Sequence, residues 1–247
     1  MSCLRQGFGA HGRLPRVLVL IPAYNEAASL PALVRTLRHR RPDLDVLVVN
    51  DGSSDRTSAL LRELGVRWLE WPERRGVGRA LRAGLRYAAR QGYDLVIRLD
   101  ADGQHDVDDV ERLLAPLRLG TADVVLGSRF AALNRSHHPN PIQRSLGAVL
   151  SMITRRTVTD PTSGFWAMGP RAVAMLAEHH PGGYPEPELH LFLSHNAMRV
   201  VEVNVQWRAR LHGRTSLTPI RLVSAGARVA LAMLIVPFRA SLRPGHD

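Results

Sequence analysis

Residues 95–105 read Leu-Val-Ile-Arg-Leu-Asp-Ala-Asp-Gly-Gln-His, and this stretch decides the fold. Leu95–Leu99 is a short apolar strand, and at Asp100 it gives way to a polar turn. Two carboxylates one residue apart, just past a strand end, can both face one cation. Oxygen ligands suit Mg²⁺ or Mn²⁺, and such hard ions usually hold substrate phosphates as well. An isolated Asp-x-Asp is weak. The flanking pattern gives it force, because two earlier strands end in the same way. Arg16–Ile21, ended by Pro22, runs into Pro22-Ala23-Tyr24-Asn25-Glu26, and Val46–Val49 runs into Asn50-Asp51-Gly52-Ser53-Ser54-Asp55. One such turn is an ordinary helix cap, whereas three on neighbouring strands make a site.

Helical segments alternate with these strands. Leu30, Leu33, Val34 and Leu37 recur at helical spacing, and Asp55 caps a helix carrying Leu60, Leu61 and Leu64, with Gly65 at its end. Further helices run over Val77–Ala88 and Val107–Leu117, with strands at Val66–Leu69 and Val124–Leu126. The pattern predicts an α/β fold, a mostly parallel sheet flanked by helices, with ligands outside the carboxyl ends of its strands. The second half departs from this rhythm. Arg129–Asn140 reads as a long loop, Pro141–Arg155 as an amphipathic helix, and a Gly/Pro-rich stretch follows. A helix near Pro187–Met198 and a strand at Arg199–Val205 come next. The expected organisation is a flexible N-terminus (1–14), one domain (15–218), and a C-terminal amphipathic helix and tail (219–247).

Composition narrows the chemistry. One cysteine, Cys3, excludes an internal disulfide and a Cys-based zinc cluster. All 33 basic residues are Arg, so a Walker A loop and Schiff-base chemistry, which need Lys, are excluded. Residues 1–125 hold 19 Arg against 16 acids, and residues 126–247 hold 14 against 6. The basic second half suits a phosphate-bearing ligand or an anionic membrane surface. Met1–Arg13 lacks the apolar core of a signal peptide, and Leu222–Val236 is interrupted by Arg228. A cytoplasmic location, at the inner face of the cell membrane, is the expectation.

IPAYNEAASL, VVNDGSSDRT, LDADGQHDVDD, LGSRF and DPTSGFWAM, in this order, resemble a family 2 glycosyltransferase of the GT-A fold. The resemblance covers roughly residues 15–218 and is nearest to the polyprenyl- and dolichyl-phosphate sugar transferases. It implies an inverting, metal-dependent hexosyltransferase that uses a nucleotide-diphosphate sugar. Pro22, Ala23, Tyr24 and Glu26 match the first nucleotide-binding loop, and Asp51 the acid that holds the base. Asp100, Ala101 and Asp102 match the DxD motif, and Gln104 falls where polyprenyl-phosphate enzymes have a further metal ligand. Arg129 matches an arginine on the phosphates, and Arg144 a second one. Asp160, Ser163 and Gly164 match a segment lining the sugar and acceptor region, where Gly164 allows close approach. Glu186 and Glu188 lie where hydroxyl-accepting members carry a base, and Glu188 joins Asp100, Asp102 and Arg129 in the implied catalytic set. The family's usual Glu-Asp pair is absent here. Arg208, Arg210, Gly213, Thr215 and Ser216 resemble a closing segment over the diphosphate, with Leu217 in place of its final Lys.

Rival readings fare worse. The glycines Gly76, Gly78 and Gly84 follow the third strand rather than the first and lack dinucleotide-binding spacing, so helix packing accounts for them. A nucleotidyltransferase needs a Gly-rich loop with Arg and Lys after strand one. Nucleic acid is excluded as a partner because the strand-end acids repel its phosphates. Two acceptors remain, a lipid phosphate and a saccharide hydroxyl of cell-wall or exopolysaccharide synthesis. Ile220–Phe238, apolar with Arg221, Arg228 and Arg239 spaced along it, suits either the surface of an anionic membrane or a homodimer contact.

Overall fold

The computed structural model describes residues 14–131, 138–180 and 185–208. Their strands are β1 (Val17–Ala23), β2 (Asp45–Asn50), β3 (Arg67–Glu70), β4 (Leu95–Arg98), β5 (Val124–Ser128), β6 (Trp166–Met168) and β7 (Val200–Asn204). They form one sheet in the order β3-β2-β1-β4-β6-β5-β7. All pairings are parallel except those of β6, which runs antiparallel to both β4 and β5. The helices are α1 (Leu30–Arg40), α2 (Thr57–Leu64), α3 (Val77–Arg90), α4 (Val110–Arg118), α5 (Pro141–Thr154), α6 (Pro170–His179) and α7 (Pro185–His195).

Alternation along β1 sets the two layers. Val17, Val19 and Ile21 pack with the buried faces of α1 and α4, and Leu18 and Leu20 with those of α3 and α6. Gly84 lets α3 lie on β1, since a Cβ there would come 2.1 Å from Leu20 Cδ1. That contact supports the packing account of this glycine over the dinucleotide one. Gly65 ends α2 at φ 57°, as a C-terminal glycine should.

Three features differ from expectation. Pro22 does not end β1, which runs on to Ala23 and pairs Pro22 with Val49. Leu20 and Ala23 direct their carbonyls to opposite neighbours, β4 and the end of β2, so Pro22 faces β4. Pairing with β4 has already stopped at Leu20 and Arg98, so no ladder bond requires the missing N–H. Strand order reverses between β1 and β4, the position at which open α/β sheets bind their ligands. The second difference is β6, whose three residues are buried on both faces and carry no period to read. The third is α6, which had readable signals. Pro170 opens it, and Ala172, Val173, Leu176 and Ala177 form its buried face. Among the described residues no helix is long and apolar enough to cross a membrane. Nearly all of the N-terminus and the whole C-terminal helix lie outside the described residues.

Candidate active site

The ends of β2, β1 and β4 lie side by side at the point where strand order reverses, and the loops after β1 and β2 are joined to each other. Asn25 adopts φ 56°, and its Oδ1 accepts from the backbone N–H groups of Ser54 (2.8 Å) and Asp55 (3.3 Å). Asp55 in turn accepts from Ala27 N–H at 3.1 Å and from Thr57 N–H at 2.9 Å at the start of α2. Buried Asp51 accepts from the N–H groups of Arg75 (2.7 Å) and Gly76 (2.8 Å), which fixes the loop before α3. Gly52, at φ 68°, lies under the same loop, and a Cβ there would sit 2.3 Å from the Glu73 backbone. Tyr24 is half-buried with the Arg74 guanidinium 4.1 Å from its ring centroid. Glu26 opens α1, accepting from Ser29 Oγ at 2.5 Å.

Asp100 and Asp102 both lie in the turn past β4. Asp100 Oδ1 lies 3.3 Å from Arg98 Nη2, and Oδ2 lies 3.7 Å from His105 Nε2. Burial pushes Asp100 upward, but Arg98 and His105 outweigh it and hold the carboxyl at about 2. His105 is wedged between the rings of Phe165 and Trp207, each 4.7 Å away. Asp102 Oδ1 accepts from Gln104 N–H at 3.1 Å. With its amide nitrogen toward Asp102, Gln104 donates to Oδ2 at 2.9 Å and accepts from Trp207 Nε1 at 3.0 Å. Gly164 leaves room beside this pair, since a Cβ there would lie 2.0 Å from Asp100 Oδ2. Among the described residues no three His, Cys, Asp or Glu side chains form a metal cage. The donor set is the two carboxylates, because Gln104, expected as a further ligand, turns its amide nitrogen to Asp102 and its oxygen to Trp207. That sparse oxygen donor set fits Mg²⁺ or Mn²⁺, which take their remaining ligands from phosphates and water.

Opposite these loops, Arg129 follows β5. Its Nε and Nη2 reach the two oxygens of fully buried Asp160, each at 2.7 Å, and Nη2 also donates to Thr162. The guanidinium lies over the rings of Phe130 (5.0 Å) and Trp207 (4.5 Å). Of its nitrogens, Nη1 makes no hydrogen bond among the described residues. Ser163 Oγ donates to Gly127 O at 2.5 Å and so fastens the loop ahead of β6 to β5. Exposed Arg144 on α5 lines a recess with Phe130, Pro139, Gln143, Gly147, Val158 and Thr159. Arg208 pairs with Asp106 at 2.6 Å, while Arg210 and the rest of the closing segment lie outside the described residues.

Of the two acids near 186, the structure brings Glu186 to the cluster. It is buried, 2.6 Å from Arg98 Nη2, and burial raises its carboxyl against the pull of Arg98. Glu188 is half-buried on α7. Sequence reading passed over Arg98 and Trp207. Arg98 had a signal, since a lone Arg inside an apolar strand needs a buried anion.

The family model for Glycosyl transferase family 2 matches residues 18–175. The chain is 40% identical over 121 residues to polyprenol monophosphomannose synthase of Mycolicibacterium smegmatis, covering 47% of this chain and 45% of that protein. It is 42% identical over 119 residues to undecaprenyl-phosphate mannosyltransferase of Micrococcus luteus, covering 46% and 48%. These matches therefore span about half the length of either relative. Its fold is similar to that of glucosyl-3-phosphoglycerate synthase from Mycobacterium tuberculosis, solved with Mn²⁺, UDP-glucose and phosphoglyceric acid. There the TM-score is 0.68 and the identity 22%, covering 90% of this chain and 79% of that one. The chain belongs to glycosyl transferase family 2.

Proposed function

We propose that this protein is an inverting, metal-dependent glycosyltransferase that moves a sugar from a UDP- or GDP-sugar to a polyprenyl-type lipid phosphate. One observation supports the reading above all: the order β2-β1-β4 makes neighbours of the strands whose ends carry Asp51, Tyr24 and the Asp100–Asp102 pair. The donor's base lies against Tyr24 and Asp51, with Pro22, Ala23 and Glu26 shaping its loop, and its diphosphate lies over Asp100-Ala101-Asp102. Asp100 and Asp102 would hold Mg²⁺ or Mn²⁺, whose charge would make the diphosphate a leaving group, and Gln104 would join them only with its amide oxygen turned from Trp207 toward the ion.

An acceptor phosphate oxygen attacks the anomeric carbon from the face opposite the diphosphate. The new C–O bond forms as the bond to the diphosphate oxygen breaks, and the configuration inverts. The acceptor oxygen is already ionised at neutral pH, so this route needs no general base. Arg144 and the Nη1 edge of Arg129 read the acceptor phosphate, for which guanidinium groups are well matched. Two relatives are named for polyprenol and undecaprenyl-phosphate substrates, which supports this acceptor. The basic second half suits work at the cytoplasmic face of an anionic membrane.

The test is turnover with a panel of UDP- and GDP-sugars, with and without polyprenyl phosphate, in Mn²⁺, Mg²⁺ or chelator. The expected product is a sugar–phosphate–lipid formed only with metal. Transfer to a saccharide hydroxyl in its place would overturn the acceptor, and full turnover in chelator would overturn the metal.

A further inference from the structure

The chemistry above leaves unused one cluster of buried charge, Arg98 with Glu186. Arg98 sits at the end of β4, two residues before Asp100, and its side chain is only 4% exposed. Both of its ion pairs use Nη2, to Glu186 Oε1 at 2.6 Å and to Asp100 Oδ1 at 3.3 Å. Its Nε and Nη1 are buried with no hydrogen-bond partner. The guanidinium cannot lose its proton, so a neighbouring anion has to balance it. Its two carboxylates differ in closeness and exposure. Glu186 is nearer, with its side chain 11% exposed, whereas Asp100 is farther away and 32% exposed.

We propose that Glu186 is a positioning residue, one that takes up the charge of Arg98 and thereby leaves Asp100 open to a divalent cation. The proposal rests on the reading of Asp100 as a cation ligand. If Arg98 had Asp100 as its sole anion, a metal ion arriving at Asp100 would meet an uncompensated positive charge two residues away. A carboxylate on α7, 88 residues along the chain, answers that charge through its 2.6 Å contact with Arg98. This role differs from that of a base, because it concerns the cation and needs no proton from an acceptor.

The experiment is titration with Mn²⁺ alone, following free Mn²⁺ by electron paramagnetic resonance, alongside a melting curve for each variant. Glu186→Gln is expected to bind Mn²⁺ about tenfold more weakly than the wild type, because a nearby like charge is no longer answered. Arg98→Met removes the competing charge and is expected to bind at least as tightly as the wild type. The double variant, Arg98→Met with Glu186→Gln, is expected to return to within about threefold of the wild type. That rescue is what a merely structural carboxylate would not give. A wild type that binds no Mn²⁺ overturns the reading of Asp100 and this proposal with it. A wild type that binds, beside a Glu186→Gln variant of equal affinity, overturns this proposal alone. Should Glu186→Gln fail to fold, Arg98→Met decides, and weakened Mn²⁺ binding in it overturns the proposal.

Discussion

Where β1, β2 and β4 end, three carboxylates accept from backbone N–H groups, Asp51 from Arg75 and Gly76, Asp55 from Ala27 and Thr57, Asp102 from Gln104, while Asp100 lies beside the Arg98 and His105 side chains. Where β5 and β6 meet, the main anchor is an arginine side chain on a carboxylate, Arg129 on Asp160. A carboxylate bound by backbone N–H groups keeps its charge and spare lone pairs for a ligand. One gripped bidentately by a guanidinium is neutralised, and the pair becomes a structural tie. Asp160 therefore acts on the acceptor side through Arg129, by setting where that guanidinium lies.

The largest expected effects set these two kinds of carboxylate against each other. Asp160→Ala leaves a mostly buried arginine without its partner, which typically costs about 3–5 kcal/mol. In a chain of this size that is a fall of roughly 10 °C in melting temperature. Asp102→Ala removes a turn carboxylate that accepts from Gln104 and is not gripped bidentately by a guanidinium as Asp160 is, so its melting temperature falls by less than that of Asp160→Ala. Its metal-dependent turnover falls on the order of 10²–10³-fold, the size of losing one preorganised electrostatic contact. Calorimetry and initial rates on the two variants check both halves. The opposite pattern would break the comparison.

The same contrast explains what the sequence made legible. Each donor-side loop is announced locally, by a β-branched run, an abrupt polar turn and a helical period, all within about fifteen residues. The order β2-β1-β4 then follows from ordinary parallel topology. The rest of the site depends on side-chain pairings between distant positions. Arg129 meets Asp160 at a separation of 31 residues, and Arg98 meets Glu186 at 88. No local period marks such partners, and Glu186 and Glu188 look equivalent in sequence, although it is Glu186 that pairs with Arg98. β6 is too short to show alternation, and its antiparallel direction comes from the return of the chain between two parallel strands.

Acid sharpens the comparison at intermediate size. His190 on α7 is fully buried, with Nδ1 2.8 Å from Arg156 Nη2 and its ring edge-on to Trp166 at 5.2 Å. Burial first, and Arg156 second, hold it down at about 3 from an ordinary 6.5. Its folded pKa is depressed, so the neutral ring's contribution is fully present above about 6.5 and is lost as pH falls toward 3. Asp100, held at about 2 against an ordinary 3.8, begins to lose its contribution only below about 4. Between these limits the expected change is at α7 and not at the β4 turn. A single linked proton can change stability by about 1.4 kcal/mol per pH unit. Melting curves from pH 7 to 4 should show a shallower fall for His190→Gln, which keeps an acceptor for Arg156 but does not titrate. Hydrogen exchange should quicken in α7 before it does in β1 and β2. Equal acid slopes for the two proteins would remove His190 as the cause.

The smallest effect on stability is expected at Arg144, and there the acceptor side can be probed without disturbing its frame. Arg144 is exposed on the first turn of α5, and that turn is held by other residues. Asn140 Oδ1 accepts from Gln143 N–H at 2.8 Å, and Gln143 Oε1 accepts from Asn140 N–H at 3.0 Å, a closed capping box. The recess floor is fixed separately, with Thr159 N–H donating to Glu202 at 3.0 Å and the Thr159 hydroxyl 2.6 Å from that of Ser128. Removing the guanidinium therefore leaves the backbone where it was. Arg144→Ala should alter stability by no more than about 0.5 kcal/mol, as exposed substitutions generally do. A charge-assisted hydrogen bond to phosphate is worth about 1.5–3 kcal/mol. The KM for polyprenyl phosphate should accordingly rise about tenfold or more, while the KM for the nucleotide sugar stays unchanged. Arg144→Lys should recover part of the loss, because a lysine keeps the charge but not the two-pronged contact. Should the donor KM rise and the acceptor KM stay put, Arg144 belongs with the β1, β2 and β4 loops, and the division of the site into a backbone-held donor side and an arginine-held acceptor side fails at its most accessible residue.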